Sequence, residues 1–326
     1  MSAAPDTGRP GSGTGGEARR IADTLIRARI ERTPVPPFTR KQPFLRVDTA
    51  YDAQSLVVEH HLQAGEKIIG TKLGLTSRVK RQALGIDEPV FGWLTSGMVV
   101  RHGEPVQLGE LIHPRAEPEL AFLIGERIEA PTTVARVLAS TESVFPAIEV
   151  MDSRYSESFR LADSVADNAG AARIVVGARG LPPEALVDLS VLGCVFRCRG
   201  AIDTAAGGAV MGHPAAALVW LVEALAARGE SVEAGSIVLS GGLTASVPLQ
   251  ARGVAIAEFD GLGTIGVHCT GGGAPIGRGD DPPRRRARHR RRGRDAAARA
   301  GEGRFALPGG LQARRLRNLQ GSAQAG

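Results

Sequence analysis

Leu111-Ile112-His113-Pro114-Arg115-Ala116-Glu117-Pro118-Glu119-Leu120-Ala121-Phe122 carries two carboxylates into an apolar run that reads as a β-strand. Strand side chains alternate with period two, so Glu117 and Glu119 share one face if the strand reaches back to them. Same-facing carboxylates repel unless a cation or a proton lies between them. Oxygen ligands of this kind suit Mg2+ or Mn2+. Taken alone, Glu-x-Glu more often marks a solvated strand edge. A second stretch adds to it: Val144-Phe145-Pro146-Ala147-Ile148-Glu149-Val150-Met151-Asp152-Ser153-Arg154 embeds Glu149 in another apolar run. A carboxylate there is costly unless paired or metal-bound. Arg154 is a candidate structural partner for Glu149 or Asp152. A third ligand from a neighbouring strand would complete a three-carboxylate face with positions left for substrate and water.

Two further stretches carry chemistry. Ile69-Gly70-Thr71-Lys72-Leu73-Gly74-Leu75-Thr76-Ser77 sets a lysine between glycines at a strand end. A surface lysine is the ordinary reading, but a lysine near a metal suits proton transfer or carboxylate capture. Val238-Leu239-Ser240-Gly241-Gly242-Leu243-Thr244 runs a strand into a glycine pair that can offer backbone N–H groups to a carboxylate. The histidines make no ligand cluster: His60 and His61 fall in a helix, His113 precedes a proline and His213 stands at a helix start. There is no P-loop and no Gly-x-Ser-x-Gly elbow.

Working outward, the chain divides into four zones. Residues 1–17 are small and polar and read as disordered. Residues 18–66 read as helical, with Ile21, Leu25, Ile26 and Ile30 at helix spacing, a connector broken by Pro34, Pro36 and Pro37, and a second helix from Asp52 to Ala64. From 67 to 270 short β-branched runs alternate with Gly and Pro: Lys67–Lys72, Met98–Arg101, Leu120–Ile124, Ile174–Gly177, Val191–Arg197, Ser236–Ser240, Val254–Phe259 and Thr264–His268. Helices interrupt at Arg78–Leu84, Thr132–Ala139 and His213–Arg228. The fold class expected is α+β: a mainly β, mixed barrel-like body with an N-terminal helical region.

The fourth zone, 271–326, is rich in arginine. Its 14 arginines and 4 acidic residues give a net charge of +10, which leaves the rest of this +6 chain mildly acidic at −4. The basic character therefore belongs to the tail, and a nucleic-acid partner is not expected of the body. Arg, Ala, Gly and Pro are what GC-rich DNA encodes in nearly any frame. The composition thus favours a disordered, frameshifted or read-through terminus over a binding arm. Three cysteines, Cys194, Cys198 and Cys269, cannot make a disulfide framework. With no secretory signal in Met1–Gly16 and no apolar run approaching ~18 residues, no membrane partner is expected and a reducing cytoplasm fits.

In order and spacing, these pieces resemble the hydratase/decarboxylase branch of the fumarylacetoacetate hydrolase superfamily over residues 20–270. The resemblance rests on Lys72-Leu73-Gly74-Leu75-Thr76-Ser77, Pro114-Arg115-Ala116-Glu117-Pro118-Glu119 and Pro146 to Arg154. Val165-Ala166-Asp167-Asn168-Ala169, Met211-Gly212-His213-Pro214 and Ser240-Gly241-Gly242-Leu243-Thr244 extend it. It implies a Mg2+ or Mn2+ ion held by Glu117, Glu119 and Glu149, with Lys72 as the active-site lysine. It also implies Leu75, Asn168, Ser240 and Thr244 around a small 2-oxo acid. Two activities compete within the branch: decarboxylation of 2-oxo-3-hexenedioate (4-oxalocrotonate) and hydration of 2-keto-4-pentenoate. Asp152-Ser153-Arg154-Tyr155 with Phe159, Leu111-Ile112-His113-Pro114 and the Gly241–Pro248 loop look more like the decarboxylase. Pro118 departs from the family's usual Ala and removes a backbone donor, which a strand edge would tolerate. The resemblance further implies a homo-oligomer or a hetero-complex of decarboxylase with hydratase. Rival readings are a non-catalytic partner subunit, a binding protein working through its basic tail, and a C–C hydrolase, for which His113 is the only candidate base.

Overall fold

Strand-forming runs separated by Gly and Pro build, among the described residues, two sheets from twelve short strands. The computed structural model describes residues 13–271, except 79–80, 83–85 and 102. The strands are β1 (Ile68–Gly74), β2 (Val90–Thr95), β3 (Val106–Gln107), β4 (Arg115–Ile124), β5 (Thr141–Met151), β6 (Ala171–Val176), β7 (Gly193–Cys198), β8 (Ala201–Ala206), β9 (Ile237–Leu239), β10 (Val247–Pro248), β11 (Val254–Phe259) and β12 (Gly263–Thr270). One sheet runs β2-β1-β9-β4-β5-β6, with β10 also pairing β4; the other runs β3-β12-β11-β7-β8. Only β1 with β9 and β12 with β3 are parallel among these pairs.

The alternation on β4 decides which way everything points. Ala116, Leu120, Phe122 and Ile124 enter the main core with Phe196, Ala255 and Val267 of the second sheet. Between them, Ala121 turns to the opposite face and packs with Ala147, Leu239 and Leu94. Glu117 and Glu119 share the parity of Ala121, so they lie on that second face, as Glu149 does by the parity of Ala147. The sheet thus buries an apolar side against its partner sheet and holds its carboxylates on the other.

Among the described residues five α-helices accompany the sheets: α1 (Gly13–Glu31), α2 (Val47–Gln63), α3 (Val134–Ala139), α4 (Leu161–Ala166) and α5 (Pro214–Ala226). Ile21 and Leu25 of α1, Ala50, Ala53 and Val57 of α2 and Val165 of α4 form a separate core. In α5, Pro214 opens the first turn and the His213 ring nitrogen Nδ1 accepts from the Ala215 N–H at 3.0 Å, a cap. By composition Gly207–Ala226 is long and apolar enough to cross a membrane, with a mean hydropathy of 1.5, which the sequence expectation had not allowed for. Its helix proper, however, is only 13 residues, roughly 20 Å against the ~30 Å of a bilayer core. Leu218, Leu221, Val222 and Leu225 bury that helix in the main core.

Several expected elements shift. Helix α2 begins at Val47 rather than Asp52, with Asp48 favourably placed in the first turn. Met98–Arg101 is not a strand: Ser96–Met98 is a 3₁₀ turn and only Val99 bridges to Ile174. The strand of that region is β2, where Phe91-Gly92-Trp93 pairs with β1. Strand β8 and helix α4 carried no periodic signal of their own, and α1 starts inside the segment that composition reads as disordered. The tail 272–326, residues 1–12 and much of the helix expected at Arg78–Leu84 lie outside the described residues.

Pro118 is not at a sheet edge either. Strand β4 is an inner strand, but its partners β9 and β10 pair with Ala121–Leu123 and Arg115–Ala116 only. Opposite Pro118 runs the Gly241–Leu243 loop, and the Leu243 N–H donates to Pro118 O at 2.9 Å. The missing donor thus falls where the ladder is already interrupted.

Candidate metal centre

Glu117 stands directly opposite Glu149 in the β4–β5 ladder, and Glu119 opposite Ala147. Directly opposed side chains have Cβ atoms roughly 4.5–5.5 Å apart, and like charges there are destabilising. One carboxylate oxygen from each of Glu117, Glu119 and Glu149 lies within 4.8 Å of the others. All are buried: Glu117 is 5% exposed, Glu119 and Glu149 0%. Glu119 Oε1 and Glu149 Oε1 have no hydrogen-bond partner among the described residues. Natural interiors rarely leave such oxygens orphaned.

Lys72 is a buried cation beside them. Lys72 Nζ is 3.0 Å from Glu149 Oε2 and donates to Ala169 O at 3.0 Å. Three buried carboxylates thus crowd around this ammonium. Burial drives the Glu149 carboxyl up to about 7, opposed by Lys72 and reinforced by Glu117. Burial also pushes Glu119 well above the carboxylate range, helped by Glu149 and Glu117. Burial would lower the Lys72 ammonium, but the charges of Glu149, Glu119 and Glu117 outweigh it and hold the group protonated. Three converging carboxylates, two of them with an oxygen that has no hydrogen-bond partner among the described residues, fit a hard divalent cation.

The glycine pair is built against this trio. The Gly241 N–H donates to Glu119 Oε2 at 2.7 Å, so it serves the chain's own carboxylate. Gly241 has φ +106, and a Cβ there would meet Thr76 Oγ1 at 2.2 Å. A Cβ on Gly242 would meet Glu117 Oε2 at 2.3 Å. Gly242→Ala should therefore displace Glu117 and weaken divalent-ion binding by about tenfold or more, the scale of lost ligand support. Titration with Mn2+ measures this, with circular dichroism showing the fold retained.

Arg154 does not reach Glu149. It pairs with Asp167 through Nε, its Nη2 donates to Asp167 O at 2.7 Å, and Asp152 lies 3.9 Å away. Asp152 Oδ1 in turn accepts the Ile112 and His113 N–H groups, so this network ties the end of β5 to the segment before β4.

No family model matches the chain. Among curated proteins, it is 37% identical over 255 residues to a 4-oxalocrotonate decarboxylase of a Pseudomonas species, covering 77% of this chain and 98% of that one. The chain belongs to the hydratase/decarboxylase branch of the fumarylacetoacetate hydrolase superfamily. Within that branch it is also 33% identical over 252 residues to a 2-keto-4-pentenoate hydratase of Paraburkholderia xenovorans, covering 76% of this chain and 93% of that one. Among solved structures, the 4-oxalocrotonate decarboxylase of Pseudomonas putida G7, complexed with magnesium and adipate, superposes with a TM-score of 0.75 at 32% identity. The match covers 78% of this chain and 97% of that one.

The other residues that the branch resemblance implied are placed differently from one another. Leu75, in the left-handed region at φ 57, lines a cavity of about 990 Å³ with Tyr51, Phe91, Phe159, Trp220 and Arg228. Neither Lys72 nor the glutamates line it. Ser240 is fully buried, its amide donating to Leu120 O at 3.0 Å and its hydroxyl unpaired among the described residues. The Thr244 hydroxyl donates to Ala245 O at 3.1 Å. The Asn168 amide is committed to Trp93, accepting from its N–H and donating to its C=O, each at 2.8 Å. Sequence reasoning missed Ala169 O, a partner of Lys72 that no side-chain pattern announces, and Arg81, whose guanidinium holds the Leu75 and Thr76 carbonyls at 2.7 and 3.0 Å.

Proposed function

We propose that this chain is a carbon–carbon lyase that decarboxylates 2-oxo-3-hexenedioate to 2-hydroxypenta-2,4-dienoate and CO2 in the meta-cleavage breakdown of aromatic compounds. Glu117, Glu119 and Glu149 hold Mg2+ or Mn2+ for it. The observation that carries the reading is the buried trio of glutamates beside the buried Lys72, with orphaned oxygens on Glu119 and Glu149 among the described residues. The magnesium complex of the Pseudomonas putida relative supports the choice of ion.

A divalent ion in this trio supplies the positive charge that favours electron density on the substrate's 2-oxygen. The residues then divide the work. In the substrate the bond to the distal carboxylate breaks, CO2 leaves, and the electron pair moves through the conjugated chain to the 2-oxygen. Lys72, kept as an ammonium by its three carboxylate neighbours, faces that charge and supplies the proton that completes the dienol. Burial of the whole constellation excludes water and strengthens each charge interaction. Ser240 and Thr244 flank the glycine pair that positions Glu119 and Glu117, and Leu75 lines the 990 Å³ cavity.

A second reading is hydration of 2-keto-4-pentenoate, favoured by the 33% identity to the Paraburkholderia hydratase over 93% of its length. Supplying each substrate to purified protein with Mg2+ separates the two. The decarboxylase reading expects CO2 from the hexenedioate and no hydration of the pentenoate; the reverse pattern overturns it.

The carboxylates also set the pH dependence of metal binding. Glu149 titrates near 7 and Glu119 above the ordinary range without metal, so protons compete with the ion at neutral pH. Mg2+ affinity is expected to fall as pH drops from 8 to 6, by roughly tenfold per unit once below the titration point. Calorimetry in buffers of different ionisation enthalpy should show proton release on binding. In the metal-free protein the raised Glu149 value makes the folded state hold a proton that the unfolded state has lost. Its stability therefore declines from about pH 4.5 to 7, and added Mg2+ raises Tm more at pH 8 than at pH 6.

Assembly with like chains or with a partner hydratase belongs to the same reading. Ile256 and Ile202, both exposed, flank Arg197 in one row across β11, β7 and β8, a mixed apolar and charged outer face that could meet another chain. The three free thiols suit a reducing cytoplasm.

A further inference from the structure

Between α4 and β6 the backbone does something costly. Asn168 and Ala169 both lie in the left-handed region, each at φ 51. Consecutive non-glycine residues there are strained, an alanine more than an asparagine, and persist only where surroundings over-determine them. Three sets of contacts do so here. The Asn168 amide grips both polar groups of Trp93 on β2. Asp167, just before the turn, is bonded to Arg154 through its backbone and its carboxylate, and the Gly170 N–H closes the turn on Asp167 O at 2.9 Å. Gly92, on the facing strand, has no side chain, and a Cβ there would meet Asn168 O at 2.4 Å.

What this strained turn presents is the Ala169 carbonyl, and that oxygen accepts from Lys72 Nζ at 3.0 Å. We propose that Asn168-Ala169 is a positioning turn, locked onto Trp93 and the Arg154–Asp167 pair, that fixes the Lys72 ammonium against Glu149. Asn168 is thereby a positioning residue for Lys72 and touches no substrate. Ala169 O takes one of the three ammonium donors and Glu149 Oε2 lies 3.0 Å from the nitrogen, which among the described residues leaves a donor for the reacting molecule. A backbone acceptor suits this task, since it adds no charge and cannot itself be protonated in place of the substrate. The proposal rests on Lys72 as the proton donor of the reaction, so its test needs a readout that does not depend on turnover.

The test uses full-length protein carrying Asn168→Ala, with Asn168→Asp as a milder variant that tolerates the left-handed region and keeps the acceptor for the Trp93 N–H. In metal-free protein with 15N-labelled lysine side chains, Lys72 Nζ, assigned by its loss in Lys72→Met, should exchange its protons at least about tenfold faster in Asn168→Ala. The increase should be smaller in Asn168→Asp. With Mg2+ and the hexenedioate, kcat should fall by about 10- to 100-fold while KM and Mn2+ affinity stay within about threefold. In the Lys72→Met background the same change at Asn168 should cost less than about twofold. Unchanged exchange in both variants overturns the positioning turn, as does an equal loss of kcat in both backgrounds. Altered exchange with full activity in Lys72→Met would leave the turn standing and overturn Lys72 as proton donor. Should Asn168→Ala not fold, the Asn168→Asp exchange rate alone decides.

Discussion

Glu119→Gln is expected to reduce metal-dependent CO2 release by about 10³-fold or more, because it removes both a ligand oxygen and the charge that holds the ion. The same substitution should leave the metal-free protein as stable as the natural chain, or more so. Glu119 is held far above the usual carboxylate range by burial and by its two glutamate neighbours, so its charged form is a strain on the fold. A glutamine oxygen can still accept the 2.7 Å bond from the Gly241 N–H. Thermal unfolding with and without Mg2+ reads both halves of the expectation. The natural chain gains Tm on adding the ion and the variant does not. A variant that unfolds at much lower temperature without metal would mean that Glu119 is a structural acid.

Lys72→Met separates charge from packing. The side chain has a similar reach, but the trio loses the cation 3.0 Å from Glu149. Breaking a buried ion pair from one side costs on the order of 3–5 kcal/mol. The loss should be largest above pH 7, where Glu149 would otherwise be ionised, and smaller near pH 5, where protons take over the neutralising task. Urea unfolding of metal-free protein at the two pH values measures this. Turnover with Mg2+ present should fall by about 10²–10⁴-fold, the scale of a lost general acid, with Mn2+ still bound. Full activity in this variant would remove Lys72 from the chemistry and leave the metal to act with water.

Much of this site was legible in the text of the chain because its chemistry obeys period two. Glu117 and Glu119 sit two apart and Glu149 lies in an apolar run, so alternation alone placed all three on strand faces. The ladder then set Glu117 against Glu149. Gly241 and Gly242 signalled a close approach, although what approaches is the chain's own Glu119 and Glu117 rather than a substrate carboxylate. Other features had no local signature. The partner of Arg154 proved to be Asp167, thirteen positions on, chosen by the course of the chain after β5. The acceptor for Lys72 is a main-chain oxygen at Ala169, and a carbonyl carries no mark in a sequence. Strand β2 was missed because Phe91-Gly92-Trp93 is too short a signal, yet Gly92 is what lets the Asn168 turn come close. Asn168 itself was found by resemblance, and the structure adds that both ends of its amide are bonded to Trp93.

The central claim is that the three glutamates hold the ion on which the reaction depends. It is tested most directly by titrating chelator-treated protein with Mn2+ while following bound ion and CO2 release from 2-oxo-3-hexenedioate in the same samples. The account predicts that both rise together and saturate at one ion per chain, and that both are lost in Glu149→Gln. CO2 release at the full rate before any ion is added, or unchanged Mn2+ binding in that variant, would contradict it.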